Sequence, residues 1–330
     1  MKVLITGSTG FLGSHLSDLL NKEGHEVFAQ ARNEKKFKQF QVPGHFVKGN
    51  LETEKVNDWI SDLPEDLDVV VHTAGIVHSF KPETFYQINT DGTKQLIDDL
   101  KKKYPKLHFI FLSSLSAAGP ASKNPLDLNT NEGPVSHYGQ SKLQAEQALL
   151  KDAPKNWSLS IVRPPMIIGP RDEGVLDIFK MVKGGVALKA GITTKTKMYS
   201  FICIYDVTNF ILKLIQKEKA HRETYFISHD QFISFEDLVK SIQKARKQKF
   251  LWTLPIPLLL LKSLSRILKL GHQLFSLNLR LTPDKVSELI PTKWICSAKK
   301  ASIEFDFSVD WSLESTIKIT LDDYEERNWL

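Results

Sequence analysis

Cysteine is scarce in this chain: 330 residues contain only Cys203 and Cys296. Neither has metal-ligand spacing, and two are too few for a disulfide framework. No metal is therefore expected, and a reducing compartment is. Long apolar runs are also missing. The longest, around Leu254 to Leu261, is interrupted by Pro255 and Pro257 and stops at Lys262, too short for a membrane span. Charge is not concentrated in one sign, with 44 Lys plus Arg against 38 Asp plus Glu. Without a basic motif, nucleic acid is not an expected partner. Repeats and low-complexity linkers are absent. The chain opens on MKVLITG, so no leader is expected ahead of the fold. What remains is an ordinary globular composition, 42% hydrophobic and 25% charged, expected to be cytoplasmic.

Residues 2–5, KVLI, have the pattern of a short buried strand. A glycine turn follows, with Gly7, Gly10 and Gly13. Apolar residues then recur at helical spacing through Phe11, Leu12, Leu16, Leu19 and Leu20, up to Gly24. HEVFAQAR restarts a strand. Strand, glycine turn, helix, strand is the first half of a doubly wound α/β sheet. In such a turn one glycine permits the tight bend, one lets backbone approach a pyrophosphate, and one lets helix pack close to strand. The helix N-terminus offers N–H groups and a positive dipole end to phosphates. Buried strands recur at 68–75, 109–119 and 159–170, with helical stretches between them, which predicts a parallel sheet. Its carboxyl ends, where ligands bind, carry Gly7, Arg32, Gly75, Ser114 and Pro164. The second strand ends on Ala31 and Arg32, with no acid before Glu34. That favours the 2′-phosphate of NADP over the 2′-hydroxyl of NAD.

HYGQSK, residues 137–142, places Tyr138 and Lys142 one helical turn apart and on one face. A phenol titrates near ~10 in water, too high for proton transfer at neutral pH. A neighbouring ammonium would lower that value, making Tyr138 a general acid or base, and Ser114 would orient the substrate oxygen.

TGSTGFLG, the SSLSAAG segment, YGQSK and RPPMIIGP occur in that order. Together they resemble the extended short-chain dehydrogenase/reductase superfamily over about residues 1–215. The likeness continues more loosely through SFICIYDV and the Trp294-to-Phe305 segment. The resemblance implies a Rossmann-type fold and a Tyr138–Lys142–Ser114 catalytic set. It implies a pyrophosphate cradle at Gly7, Gly10 and Gly13, with Thr9, Phe11 and Leu12 also at the cofactor. Arg32 would meet the 2′-phosphate, Asn50 and Leu51 would lie near adenine, and Ala74 and Gly75 would line the cofactor. Lys142 would hold the nicotinamide ribose, and Pro164 to Met166 would approach the nicotinamide amide. Asn89 would shape the helix under the site or simply cap it. Relatives also dimerise through the helices containing 89–103 and 138–150, so a homodimer is an option.

Branch-specific residues narrow the activity. The 4,6-dehydratases carry Asp-Glu after the catalytic Ser or Thr, where this chain has Leu115-Ser116. Sugar-nucleotide epimerases carry an Asn and an Arg for the diphosphate, where this chain has Met166 and Tyr199. Arg171, Lys195 or Lys197 could replace them. The expected activity is an NADP-preferring alcohol/ketone oxidoreductase like the 3β-hydroxysteroid dehydrogenases and dihydroflavonol reductases. The alternatives are an epimerase with retained NAD and a non-catalytic nucleotide sensor. Residues 1–174 are expected to form the dinucleotide domain, with some later segments returning to it, and 175–330 mainly a smaller substrate-binding lobe. Within the lobe, 254–270 reads as a basic amphipathic helix, a lid over the site in preference to a membrane-surface contact. Asp206 reads as a helix cap, His72 as a neutral packing residue, and the tail as a closing amphipathic helix.

Overall fold

The computed structural model describes residues 1–51, 59–192, 197–217, 222–275 and 281–330. Seven parallel strands form the central sheet. Across the sheet they run Arg222–Phe226, Ser158–Arg163, His108–Leu112, Val69–His72, Lys2–Thr6, Glu26–Ala31 and His45–Lys48. This is the doubly wound Rossmann arrangement. The strand order reverses between Lys2–Thr6 and Val69–His72, and the crevice at that switch point is where such sheets bind ligands.

The strands are apolar on both faces because helices cover both. Val3, Ile5, Val69 and Val71 face one core with Leu12, Leu16 and Leu20 of helix Phe11–Lys22. That core also holds Val207, Phe210, Ile211 and Leu214 of helix Ile204–Gln216. The intervening Leu4 and Val70 face the other core, with Leu96, Ile97 and Leu100 of helix Gly92–Lys103 and Leu149 of helix His137–Asp152. Alternation along each strand thus divides its side chains between two layers.

His72 ends its strand between those layers. Its ring lies between Thr6 Oγ1 at 2.7 Å and Thr93 Oγ1 at 2.9 Å. Burial, followed by the nearby Lys142, drives its pKa down to about 3, so it stays neutral as expected.

A third core lies apart from the two that flank the sheet. Phe179, Val182, Phe201, Leu238, Val239 and Ile242 meet Ile317, Leu321 and Tyr324 of the closing helix Leu313–Glu326. Asp206 does not cap its own helix. It lies in that helix's first turn, and its Oδ1 accepts the Asp310 N–H at 3.0 Å, tying down a later loop.

The helix Leu258–Phe275 departs from the expected lid. Leu261 and Ser265 are buried, whereas Leu259, Leu260, Leu264, Ile267 and Leu270 are exposed. No described residue of this helix borders the main cavity. The apolar stripe visible in the sequence is real, but most of it faces outward.

Candidate active site

A cavity of about 1050 Å³ opens at the carboxyl ends of the strands. Gly7, Thr9, Gly10, Phe11, Leu12 and Gly13 border one half. Gly7 has φ +71°, and a Cβ there would lie 2.8 Å from Ala74 Cα. A Cβ on Gly13 would lie 2.3 Å from the Gly7 carbonyl oxygen. The turn is therefore closed backbone against backbone. Gly10 is the N-cap of helix Phe11–Lys22 and offers no side-chain cap, which leaves first-turn N–H groups to a ligand. This cradle fits a dinucleotide pyrophosphate.

Gln30 holds the cradle in place, a role not read from the sequence. It accepts the Gly7 N–H at 3.1 Å and donates to the Gly49 carbonyl at 2.6 Å. Its own carbonyl accepts the Ser8 N–H at 3.0 Å. A buried glutamine in a strand reads as an anomaly, but nothing local says which loop it ties.

The expected cofactor residues divide by position. Gly75, Pro164 and Met166 border the cavity, as do Ser114 and Tyr138. Arg32, Asn50, Leu51, Ala74 and Lys142 do not. Arg32 is exposed at the end of its strand, Leu51 is buried, and Ala74 packs beneath Gly7. Lys36, one helical turn along, does border the cavity.

Helix His137–Asp152 carries Tyr138 and Lys142. Ser136 caps it, accepting the Gly139 N–H at 3.0 Å. Tyr138 hydrogen-bonds the Ser114 side chain. Burial pushes the phenol up to about 12, against the lowering effect of Ser114 and with a further rise from Glu288. Lys142 is buried, its Nζ 4.2 Å from the Phe111 ring centroid. Burial lowers its pKa to about 7, opposed by Glu146. The structure thus reverses one expectation: both groups are desolvated, and the phenol keeps its proton at neutral pH. Spacing put the pair on one face, but the dielectric around them belongs to the fold.

Asn89 is not a helix cap. It lies within the π-helical segment Tyr86–Asp91. Its Oδ1 accepts the Ile76 N–H at 2.8 Å, and its Nδ2 donates to the Ile76 carbonyl and to Ser141 Oγ, both at 3.0 Å. It therefore clips the Gly75 loop to the Tyr138 helix. Glu146, one turn beyond Lys142, accepts from Ser113 Oγ and pairs with the buried Arg163.

Asp284 and Glu288, on helix Pro283–Leu289, were not anticipated. Asp284 accepts the N–H groups of His137 at 2.6 Å and Tyr138 at 3.2 Å, giving helix His137–Asp152 a second cap. Glu288 accepts from Ser116 Oγ at 2.9 Å, Ser136 Oγ at 3.0 Å and Lys285 Nζ at 2.9 Å. Burial alone would raise its pKa, but Lys285 and the serines hold it below the ordinary carboxylate value. The Thr-Pro-Asp start of this helix is a legible N-terminus. Its docking about 146 residues away in sequence is not. Asp284→Ala should lower kcat roughly 10-fold with little change in cofactor KM, since it frees the helix end that seats Tyr138. Asp284→Asn should restore most of the rate. Equal loss in both variants would mean that seating Tyr138 does not depend on an acceptor at this position.

The other half of the cavity is largely apolar, with Met166, Ile178, Tyr199, Leu238, Leu289 and Trp294 on its walls. Its cations are Arg171, Lys285 and Arg327. Among the described residues each is paired: Arg171 with Asp18 at 2.8 Å, Lys285 with Glu288 at 2.9 Å, and Arg327 with Asp323 at 2.8 Å. Lys197 is buried and donates to the Leu289 carbonyl. Lys195 lies outside the described residues.

Residues 3–228 match the NAD dependent epimerase/dehydratase family. The chain belongs to that family. It is thus an enzyme of the extended short-chain dehydrogenase/reductase class, as its motif order implied. UDP-glucose 4-epimerase of Vibrio cholerae is 29% identical over 273 residues, 78% of this chain and 79% of that protein. The decarboxylating sterol-4-alpha-carboxylate 3-dehydrogenase of Candida albicans is 27% identical over 349 residues, 97% of this chain and 96% of that protein. The crystal structure of UDP-glucuronic acid 4-epimerase from Bacillus cereus, with UDP-glucuronic acid and NAD, has the same fold. Its TM-score is 0.79 at 20% identity, covering 99% of this chain and all of that one.

Proposed function

We propose that this enzyme interconverts a secondary alcohol and a ketone on a bulky, largely apolar substrate, with NADP preferred. The observation that carries the reading is the substrate half of the cavity. Its walls are mainly apolar, and its described cations are already paired with carboxylates. A diphosphate here would have to compete with those carboxylates for its counter-charges. The similarity to a sterol dehydrogenase along nearly the whole chain agrees with an apolar substrate. Arg32 and Lys36, two cations near the end of the second strand, support the 2′-phosphate.

A bound nicotinamide dinucleotide supplies the hydride acceptor or donor. The chain's own residues do the rest. The glycine cradle and first-turn N–H groups hold the phosphates. Tyr138, kept protonated by burial, gives its proton to the carbonyl oxygen during reduction and recovers it during oxidation. Ser114 hydrogen-bonds the same phenol and orients the substrate oxygen beside it. Lys142, buried behind Gly75 and titrating near 7, supplies positive charge when the phenol gives up its proton.

The similarity to UDP-glucose 4-epimerase favours a second reading, in which one carbon of a sugar nucleotide is oxidised and re-reduced. Steady-state assays separate the two. With NADPH and a panel of hydrophobic cyclic ketones, the first reading predicts stoichiometric NADPH consumption, weaker with NADH. Conversion of a UDP-sugar to its epimer without net change in nucleotide would replace it with the second.

A further inference from the structure

We infer that the surface formed by residues 250–270 and the adjoining strand docks this enzyme on a bilayer containing anionic phospholipid. The inference goes beyond the catalytic reading and holds whichever substrate the cavity takes.

Strand Trp252–Ile256 pairs in parallel with Val186–Ala190, bringing Trp252 opposite Val186 and Leu254 opposite Leu188. Residues opposite one another in a sheet share a face. All four are exposed, Trp252 at 68%, and Phe250 just before them is 76% exposed. Pro257 leads directly into helix Leu258–Phe275. At about 100° per residue, Leu259, Leu270, Ile267, Leu260 and Leu264 fall within an arc of roughly 140°. All are exposed, with Leu259 at 74% and Ile267 at 63%. The buried Leu261 and Ser265 lie on the opposite side, against the protein. Arg266 and Lys262, both exposed, lie about 20° and about 60° beyond one edge of the apolar arc.

An exposed apolar face of this extent marks an interaction surface, and its charge identifies the partner. Between Asp237 and Asp284 the chain carries nine Lys or Arg and no Asp or Glu. An apolar arc edged by cations, with an exposed tryptophan beside it, is the pattern of a helix lying in the headgroup layer of an anionic membrane. The geometry is that of lying on the membrane and not crossing it, since no described helix is long and apolar enough to span one. A second copy of the chain would set these cations against one another, which argues against self-association through this face.

Co-sedimentation with extruded vesicles tests the inference. Phosphatidylcholine vesicles with about 30% phosphatidylglycerol should bring down the full-length protein, and pure phosphatidylcholine should bind it at least ~10-fold more weakly. Binding should weaken in high salt. Leu259→Glu/Ile267→Glu and Lys262→Glu/Arg266→Glu should each reduce partitioning roughly 10-fold or more while retaining cofactor binding, which reports that they fold. Protein left in the supernatant with anionic vesicles would overturn the proposal. So would undiminished binding by the Leu259/Ile267 variant. A dimer by light scattering that this variant converts to monomer would assign the face to a second copy instead.

Discussion

Tyr138→Phe should lower turnover by about 10³-fold or more, with dinucleotide affinity changed less than about threefold. The substitution removes one oxygen and keeps the ring, so helix His137–Asp152 and its packing stay in place. The lost oxygen is the one bonded to Ser114, and the proposed mechanism has it exchange the proton with the substrate oxygen. Lys142 cannot take over that exchange by itself, because it is buried outside the cavity wall. Rapid-mix kinetics with a saturating ketone, beside dinucleotide titration by fluorescence, measure both quantities. Turnover within tenfold of wild type would remove Tyr138 from the chemistry. A parallel collapse of dinucleotide affinity would make its role structural.

Gly13→Ala should weaken dinucleotide binding roughly 100-fold and cost about 1–3 kcal/mol of stability. The added Cβ would meet the Gly7 carbonyl at 2.3 Å and Ser8 Cα at 2.9 Å. Both are backbone atoms, so relief requires the turn to open and carries first-turn N–H groups away from the phosphates. One or two charge-assisted hydrogen bonds, each worth about 1.5–3 kcal/mol, account for the affinity loss. Gly133→Ala is the control, since a Cβ there meets nothing within 4 Å. Calorimetric titration and denaturant melts on both variants provide the comparison. Unchanged affinity in Gly13→Ala would mean that the dinucleotide does not rest on this turn.

The central sheet was legible because its signals are local. Runs such as Val69–His72 announce buried parallel strands, and the Gly7–Gly10–Gly13 turn leads directly into an amphipathic helix. The pairing of Tyr138 with Lys142 needs only the helical repeat, and Ser114 needs only a strand end. What stayed hidden depends on the far side of each contact. Periodicity showed that 254–270 carries an apolar stripe, but not whether that stripe meets protein or solvent. Asp284 and Glu288 look like ordinary first- and second-turn acids on a short helix until the fold seats them on Ser116, Ser136 and the catalytic helix. The acidity of Tyr138 followed the same rule. The lysine was visible, but the burial that raises the phenol was not.

The choice between net oxidoreduction and epimerisation turns on whether the nucleotide leaves. An epimerase returns its own hydride equivalent and keeps NAD, whereas a ketone reductase must exchange cofactor every cycle. The nucleotide content of the protein after purification and acid release is therefore the most direct test. The oxidoreductase reading predicts far less than one nucleotide per chain, and a protein that then binds NADPH more tightly than NADH. Near-stoichiometric retained NAD would contradict it, reassigning the cavity to a sugar nucleotide and removing Arg32 from any role in selecting the cofactor.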